Sequence, residues 1–174
     1  MPEAPLIQRT PVDRTGRVLF ATARLFAVAG GCVIIALTLM TLVSTAGRAL
    51  VAMPVPGDYE LIQLGCAIAV ASFLPLTQLR GGHVIVDFFT ARSGPAVRAW
   101  LDAFGALLVG VAGSVIAWRM VDGAISLAEA NDQTTILGFP TWIAVTAMIP
   151  SFALLGAAGF YTAWLHVARL RGAR

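Results

Sequence analysis

The chain has 174 residues, of which 58% are hydrophobic and 12% charged, with a mean hydropathy of +0.83. That balance lies well beyond soluble usage and marks an integral membrane protein. All twelve basic residues are arginine and the net charge is only +3, too small and scattered for a nucleic-acid surface; no nucleic-acid motif and no phosphate-cradling glycine loop appears.

In chain order, residues 1–24 read as a mobile cytoplasmic tail, polar and proline-bearing, without the apolar stretch of a cleaved signal peptide. Residues 25–46 carry no charge and are long enough, at a 1.5 Å rise per residue, to cross a hydrocarbon core of roughly 30 Å. Residues 61–79 form a second charge-free run between Glu60 and Arg80. The third span, 99–121, must hold Asp102 and Arg119 near the two interfaces, acid first and base last, as the helix dipole favours. The fourth, 139–166, has Pro140 in its first turn, where a missing N–H is harmless. Its Trp142 and Trp164 are about 33 Å apart along a helix, the spacing of two aromatic belts. A four-helix membrane domain over 25–166 is then followed by a basic cytoplasmic tail, 167–174.

Arginine placement orients the spans, because basic flanks resist translocation. The N-terminal tail, the middle loop (Arg80, Arg92, Arg98) and the C-terminal tail are arginine-rich, whereas the first and third loops hold only Arg48 and Arg119 beside Asp58, Glu60, Asp122, Glu129 and Asp132. Both termini are therefore expected on the cytoplasmic side. The fold class is an all-α integral membrane protein with four transmembrane helices, N-in/C-in. Between helices two and three, HVIVDFFTA places Val84, Ile85, Phe88 and Phe89 on one face and His83 with Asp87 on the other, a short amphipathic interfacial helix over about 83–92. The Gly81-Gly82 pair permits the change of direction into it. His83 and Asp87, four apart, admit two readings: a local contact that stiffens a connector, or a docking or proton-handling site.

The chemistry of the spans is sparse. Spans one and two contain no ionisable side chain, and those of span three stand at its ends, so no carboxylate or histidine relay crosses the bilayer. With only His83 and His166 as histidines, no convergent nucleophile, base or metal set is expected, and no catalytic, cofactor-binding or metal site. Cys32 and Cys66, far apart and without a CxxC pattern, read as small buried hydrophobes. Pro75 and Pro150 free backbone carbonyls, serving either as packing kinks or as oxygens for a cation. Ala106, Gly110 and Ser114 recur every four residues in span three, as do Ala153 and Ala157 in span four. Such stripes seat either a partner subunit or the chain's own helices. The acidic loop SLAEANDQTTILGFP reads as solvated on composition.

LRGGHVIVD, residues 79–87, resembles the leucine, arginine, small residue, glycine, histidine, two residues, valine, aspartate signature of the small DctQ-like membrane subunit of tripartite ATP-independent periplasmic (TRAP) transporters. Arg48 closing span one, Glu60-Leu61 opening span two, Pro140 in TILGFPTW and a mid-span Pro150 extend the resemblance over nearly the whole chain, with departures at Ala49 and Tyr59. The resemblance implies Arg48, Glu60, Arg80, Gly82, His83, Asp87, Pro140 and Pro150 as signature or structural positions. It also implies a scaffold in the bacterial inner membrane, separate from but packed against a large multispanning permease subunit. Import would be secondary active, sodium-coupled, and of an organic acid delivered by a transient periplasmic binding protein. In that setting Glu129 and Asp132, with the 53–60 loop, become candidates for contact with the binding protein. The rival classes are an autonomous small four-helix transporter or channel and a membrane-embedded enzyme.

Overall fold

A computed structural model describes residues 14–52, 55–81 and 95–172. Four helices account for nearly all of them: α1 over Arg14–Val51, α2 over Asp58–Leu79, α3 over Pro95–Glu129 and α4 over Thr141–Gly172. Each is long and apolar enough to cross a membrane. At 22 residues α2 is about 33 Å long, close to the core thickness, whereas the 38 residues of α1 reach about 57 Å and must emerge from it.

Contacts run from α1 to α2, from α2 to α4 and, most extensively, from α4 to α3, while α1 meets α4 only slightly. The helices thus stand in a row, α1, α2, α4, α3, as two antiparallel hairpins whose inner members, α2 and α4, run parallel. The loops α1–α2 and α3–α4 share one end of the row, here the loop end. The N-terminus of α1 and the C-termini of α2 and α4 share the other.

Small residues set the spacing within the row. Lipid supplies no hydrophobic drive between helices, so close backbone approach must supply contact energy. Between α3 and α4 that approach is extreme: a Cβ on Gly159 would lie 2.5 Å from the Cα and N of Gly110, and one on Gly113 would lie 2.9 Å from the N of Gly156. Between α1 and α2 a Cβ on Gly30 would lie 3.0 Å from the Cβ of Ser72. Near the termini end, Ala23 of α1, Leu79 of α2 and Ala158 of α4 form a buried cluster, joined by Leu19, Phe20 and Tyr161. Beside it Gln78 donates from Nε2 to Thr162 Oγ1 at 3.0 Å, a buried bond between α2 and α4.

Several sequence expectations shift in extent. Residues 14–24, within the segment expected as a tail, are helical and form the first turns of α1, because Leu19, Phe20 and Ala23 have the α2 and α4 ends to pack against. Helix α3 runs from Pro95 to Glu129, well past both ends of 99–121, and α4 continues to Gly172. Pro140 stands just before α4, not within its first turn; it pairs with Gln133 in an isolated bridge and accepts from the Ile143 N–H at 3.3 Å. Cys32 is exposed, since α1 is covered on little more than one side, and Cys66 on α2 is half-buried. Pro75 and Pro150 lie inside α2 and α4, which run through them unbroken. Gly81, in the left-handed region at φ 67°, donates to the Gln78 carbonyl at 3.2 Å and ends α2, a role for which glycine has no steric penalty. The interfacial helix expected at 83–92, with Gly82, His83 and Asp87, lies outside the described residues, as do residues 53 and 54 of the 53–60 loop.

Candidate functional site

The densest polar construction in the described residues is at the loop end. Gly57 starts it: at φ 72° and ψ 15° the chain turns through the left-handed region, and a Cβ there would overlap the Leu137 side chain from the α3–α4 loop. Only glycine meets both demands. Helix α2 then opens with two carboxylates. Asp58 Oδ2 accepts from Ser44 Oγ at 2.6 Å and from Arg48 Nη2 at 3.4 Å, and its Oδ1 accepts from the Tyr59 N–H at 2.7 Å. Ser44, almost wholly buried, also accepts from the Val55 N–H at 3.3 Å, so Asp58 and Ser44 together fasten the end of α1 to the start of α2.

Glu60 reaches across to the other hairpin. Its Oε1 accepts from the Ile136 N–H at 2.8 Å and its Oε2 from the Leu137 N–H at 3.0 Å, so both oxygens are used on consecutive backbone donors. Successive N–H groups converging on one anion form a nest, here filled by a side chain of the same protein. The loop that offers them is itself folded. Thr134 donates from N to the Phe139 carbonyl at 2.9 Å, Phe139 donates to Thr134 Oγ1 at 3.0 Å, and Gly138 donates to the Thr134 carbonyl at 3.0 Å. Asp132 closes its base, accepting from the Thr141 N–H at 3.2 Å on its carbonyl and from Thr141 Oγ1 at 2.6 Å on its carboxylate. The acidic loop is therefore exposed but ordered, with internal hydrogen bonds where composition suggested solvated chain.

Both carboxylates lie in the loop-side first turn of α2, ahead of the charge-free run that starts at Leu61. The Ser44 hydroxyl holds Asp58 below the ordinary carboxylate range, against partial desolvation and with help from the Tyr59 N–H and Arg48. Glu60 is also lowered: desolvation works against its charge, and the donors of the 134–137 segment outweigh it. Each is therefore held as an anion committed to structure.

The other expected positions sort by geometry. Arg48 is largely exposed and meets only the edge of the Asp58 carboxylate. Arg80 caps α2 beside Gly81 at the termini end, far from Glu60. Glu129 is exposed at the last residue of α3, whereas Asp132 has its carboxylate engaged by Thr141. Ala106, Gly110 and Ser114 face α4: Ala106 and Gly110 are buried, and Ser114 Oγ lies 2.5 Å from where a Gly156 Cβ would be. Of the two uses a small-residue stripe can have, the described contacts are those of the chain's own helix pair. Among the described residues no three His, Cys, Asp or Glu side chains gather as metal ligands would. The Glu60 clamp escaped sequence reasoning because its partners are backbone groups 76 and 77 residues away; Gly138 and the Asp132 to Thr141 spacing were the available hints of a folded loop.

Four helices long and apolar enough to cross a bilayer, with the polar side chains at one end spent on fastening loops, define a multi-pass membrane protein. A family model described as "Tripartite ATP-independent periplasmic transporters, DctQ component" matches residues 37–169, and the chain belongs to that family. It is a small permease component of a TRAP transporter, a transporter component and not a member of an enzyme family. No curated protein and no solved structure matches it.

Proposed function

We propose that the chain is the static scaffold of a bacterial inner-membrane importer, holding a large multispanning permease subunit that carries out the translocation. Import would be secondary active, driven by sodium, and of an organic acid passed on by a periplasmic binding protein. The family match over residues 37–169 carries this reading. The geometry supports a static role: α3 and α4 are in backbone contact, and the two hairpins are tied together by Glu60, so neither is free to slide past the other.

Arginine placement supports an orientation with both termini in the cytoplasm and the loop end in the periplasm. There the α3–α4 loop exposes Ile136, Leu137 and Phe139, and Tyr59 and Glu129 at the adjoining helix ends are exposed too, a surface offered for transient contact with the binding protein. Charge reversal at Glu129 and Asp132 should then slow uptake; unchanged uptake would remove these residues from that contact. Arg80, His83 and Asp87 would fix the turn into the cytoplasmic connector, so His83→Ala or Asp87→Ala should lower assembly or uptake while leaving the substrate profile unchanged.

The decisive experiment is a tagged purification from native membranes in mild detergent with mass spectrometry of co-purifying proteins. The scaffold reading expects one large permease in constant ratio. A chain recovered alone that still moves solute in liposomes would transfer the function to these four helices.

A further inference from the structure

The N-terminal turns of α1 carry a feature that lies ahead of the segment matching the family model. Arg17, Phe20, Ala21, Arg24, Leu25 and Val28 recur at three-, four- and seven-residue intervals, so they share one stripe and line an open groove of about 450 Å³. Arg17 and Arg24 are two turns apart, about 10.5 Å along the axis, so their guanidinium groups can converge on one phosphodiester between them. Among the described residues neither has an acidic partner; the two ion pairs, Arg48 with Asp58 and Arg119 with Asp122, lie toward the loop end.

Depth supplies the second half of the argument. Arg24 is the last charge before the uncharged stretch of α1, and Leu25 and Val28 just beyond it are 67% and 58% exposed. About 15 Å further out along the axis, Arg14 and Thr15 line a neighbouring recess with Tyr161 and the exposed Trp164, so the polar side of the boundary lies beyond Arg24. The groove therefore straddles the interface, cationic above and apolar below. A packed partner helix would favour small residues on such a stripe. Two long cations over an apolar floor match a phosphate with acyl chains instead.

We propose that this groove binds an anionic glycerophospholipid of the surrounding leaflet, its phosphodiester between Arg17 and Arg24 and its chains along Phe20, Leu25 and Val28. Guanidinium matches phosphate oxygens with paired N–H donors. A lipid with its own ammonium group returns part of that attraction. Recognition needs the two guanidinium groups at the depth of the boundary and not a particular side of the membrane, so it holds for either orientation of the chain.

The test is native mass spectrometry of the full chain, exchanged in detergent against phosphatidylglycerol and phosphatidylcholine of identical acyl chains. Two basic residues near the surface, each worth about a factor of five, predict retention of phosphatidylglycerol on the order of thirtyfold over phosphatidylcholine. In R17Q/R24Q the preference should collapse toward unity, and in R119Q, which alters a paired arginine toward the other end, it should persist. Circular dichroism confirms that both variants remain helical; should R17Q/R24Q lose helix, the single variant R17Q is read instead, with an expected roughly fivefold loss. Equal retention of both lipids by the unaltered chain overturns the proposal. So does full displacement of phosphatidylglycerol by inorganic phosphate, which would mark a small-anion site. A third refuting result is loss of a co-purifying membrane protein in R17Q/R24Q with lipid preference intact, which would make the stripe a protein interface.

Discussion

Replacing Gly159 with alanine tests the α3–α4 contact at its tightest point. The added Cβ would sit 2.5 Å from Gly110 Cα and N and 2.9 Å from the Ala106 carbonyl oxygen, where carbon contacts are comfortable at about 3.5 to 4 Å. All three obstacles are backbone, so no side chain can swing aside. The helices must separate locally by about 1 Å, weakening the neighbouring Gly113 to Gly156 contact as well. Overpacking of this kind costs up to about 3 kcal/mol, and removing a mid-helix glycine returns about 1 kcal/mol of helix propensity. The clash wins, with a net loss of about 2 kcal/mol. For a chain of this size that corresponds to a fall in Tm of roughly 4 to 8 °C, measurable by differential scanning fluorimetry in detergent. Gly123→Ala is the control: its Cβ would meet nothing within 4 Å, so Tm should hold or rise slightly. Equal Tm values for the two variants would refute the close approach and with it the spacing of the row.

Three further outcomes follow from the loop end. Glu60→Ala should free the Ile136 and Leu137 amides, read as at least about tenfold faster hydrogen exchange over 134–138 with the helices unchanged. Gly57→Ala should destabilise by about 1 to 2 kcal/mol from the left-handed backbone alone, with more from overlap on Leu137; adding Leu137→Ala should recover the overlap part only, measured by Tm. The lowered values of Asp58 and Glu60 set a pH dependence: the stability they contribute is present above the ordinary carboxylate range and is lost as pH falls through their lowered values. The amide proton shifts of Ile136 and Leu137 should therefore titrate below the range of a free glutamate, and a midpoint at or above it would contradict the clamp.

The four spans were legible because their signal is local: an uncharged run of sufficient length announces itself, and even α3 is recognisable once Asp102 and Arg119 are allowed at its ends. Helix ends were not, because they depend on what lies alongside. Arg14, Arg17 and Arg24 look like a soluble tail, yet Leu19, Phe20 and Ala23 interleave with them and find Leu79 and Ala158 to pack against. The stripe through Ala106, Gly110 and Ser114 was visible, but which surface it serves is a question of tertiary partner, and the glycines of α4 answer it. Glu60 stood out by its place at the opening of span two. Its action could not be read, since an acceptor's backbone donors leave no mark on residue identity.

The clamp also bears on the order in which the protein is made. Glu60 belongs to the first hairpin and is synthesised long before Ile136 and Leu137, so its carboxylate has no loop to hold until α3 is in place and α4 has begun. Newly inserted chains therefore pass through a stage in which the α1–α2 hairpin is complete and its acidic end is open. Closure comes only with the last pair of helices. Susceptibility of the 134–138 segment to cleavage thus distinguishes finished molecules from those stalled halfway, as a sign that the final hairpin has arrived.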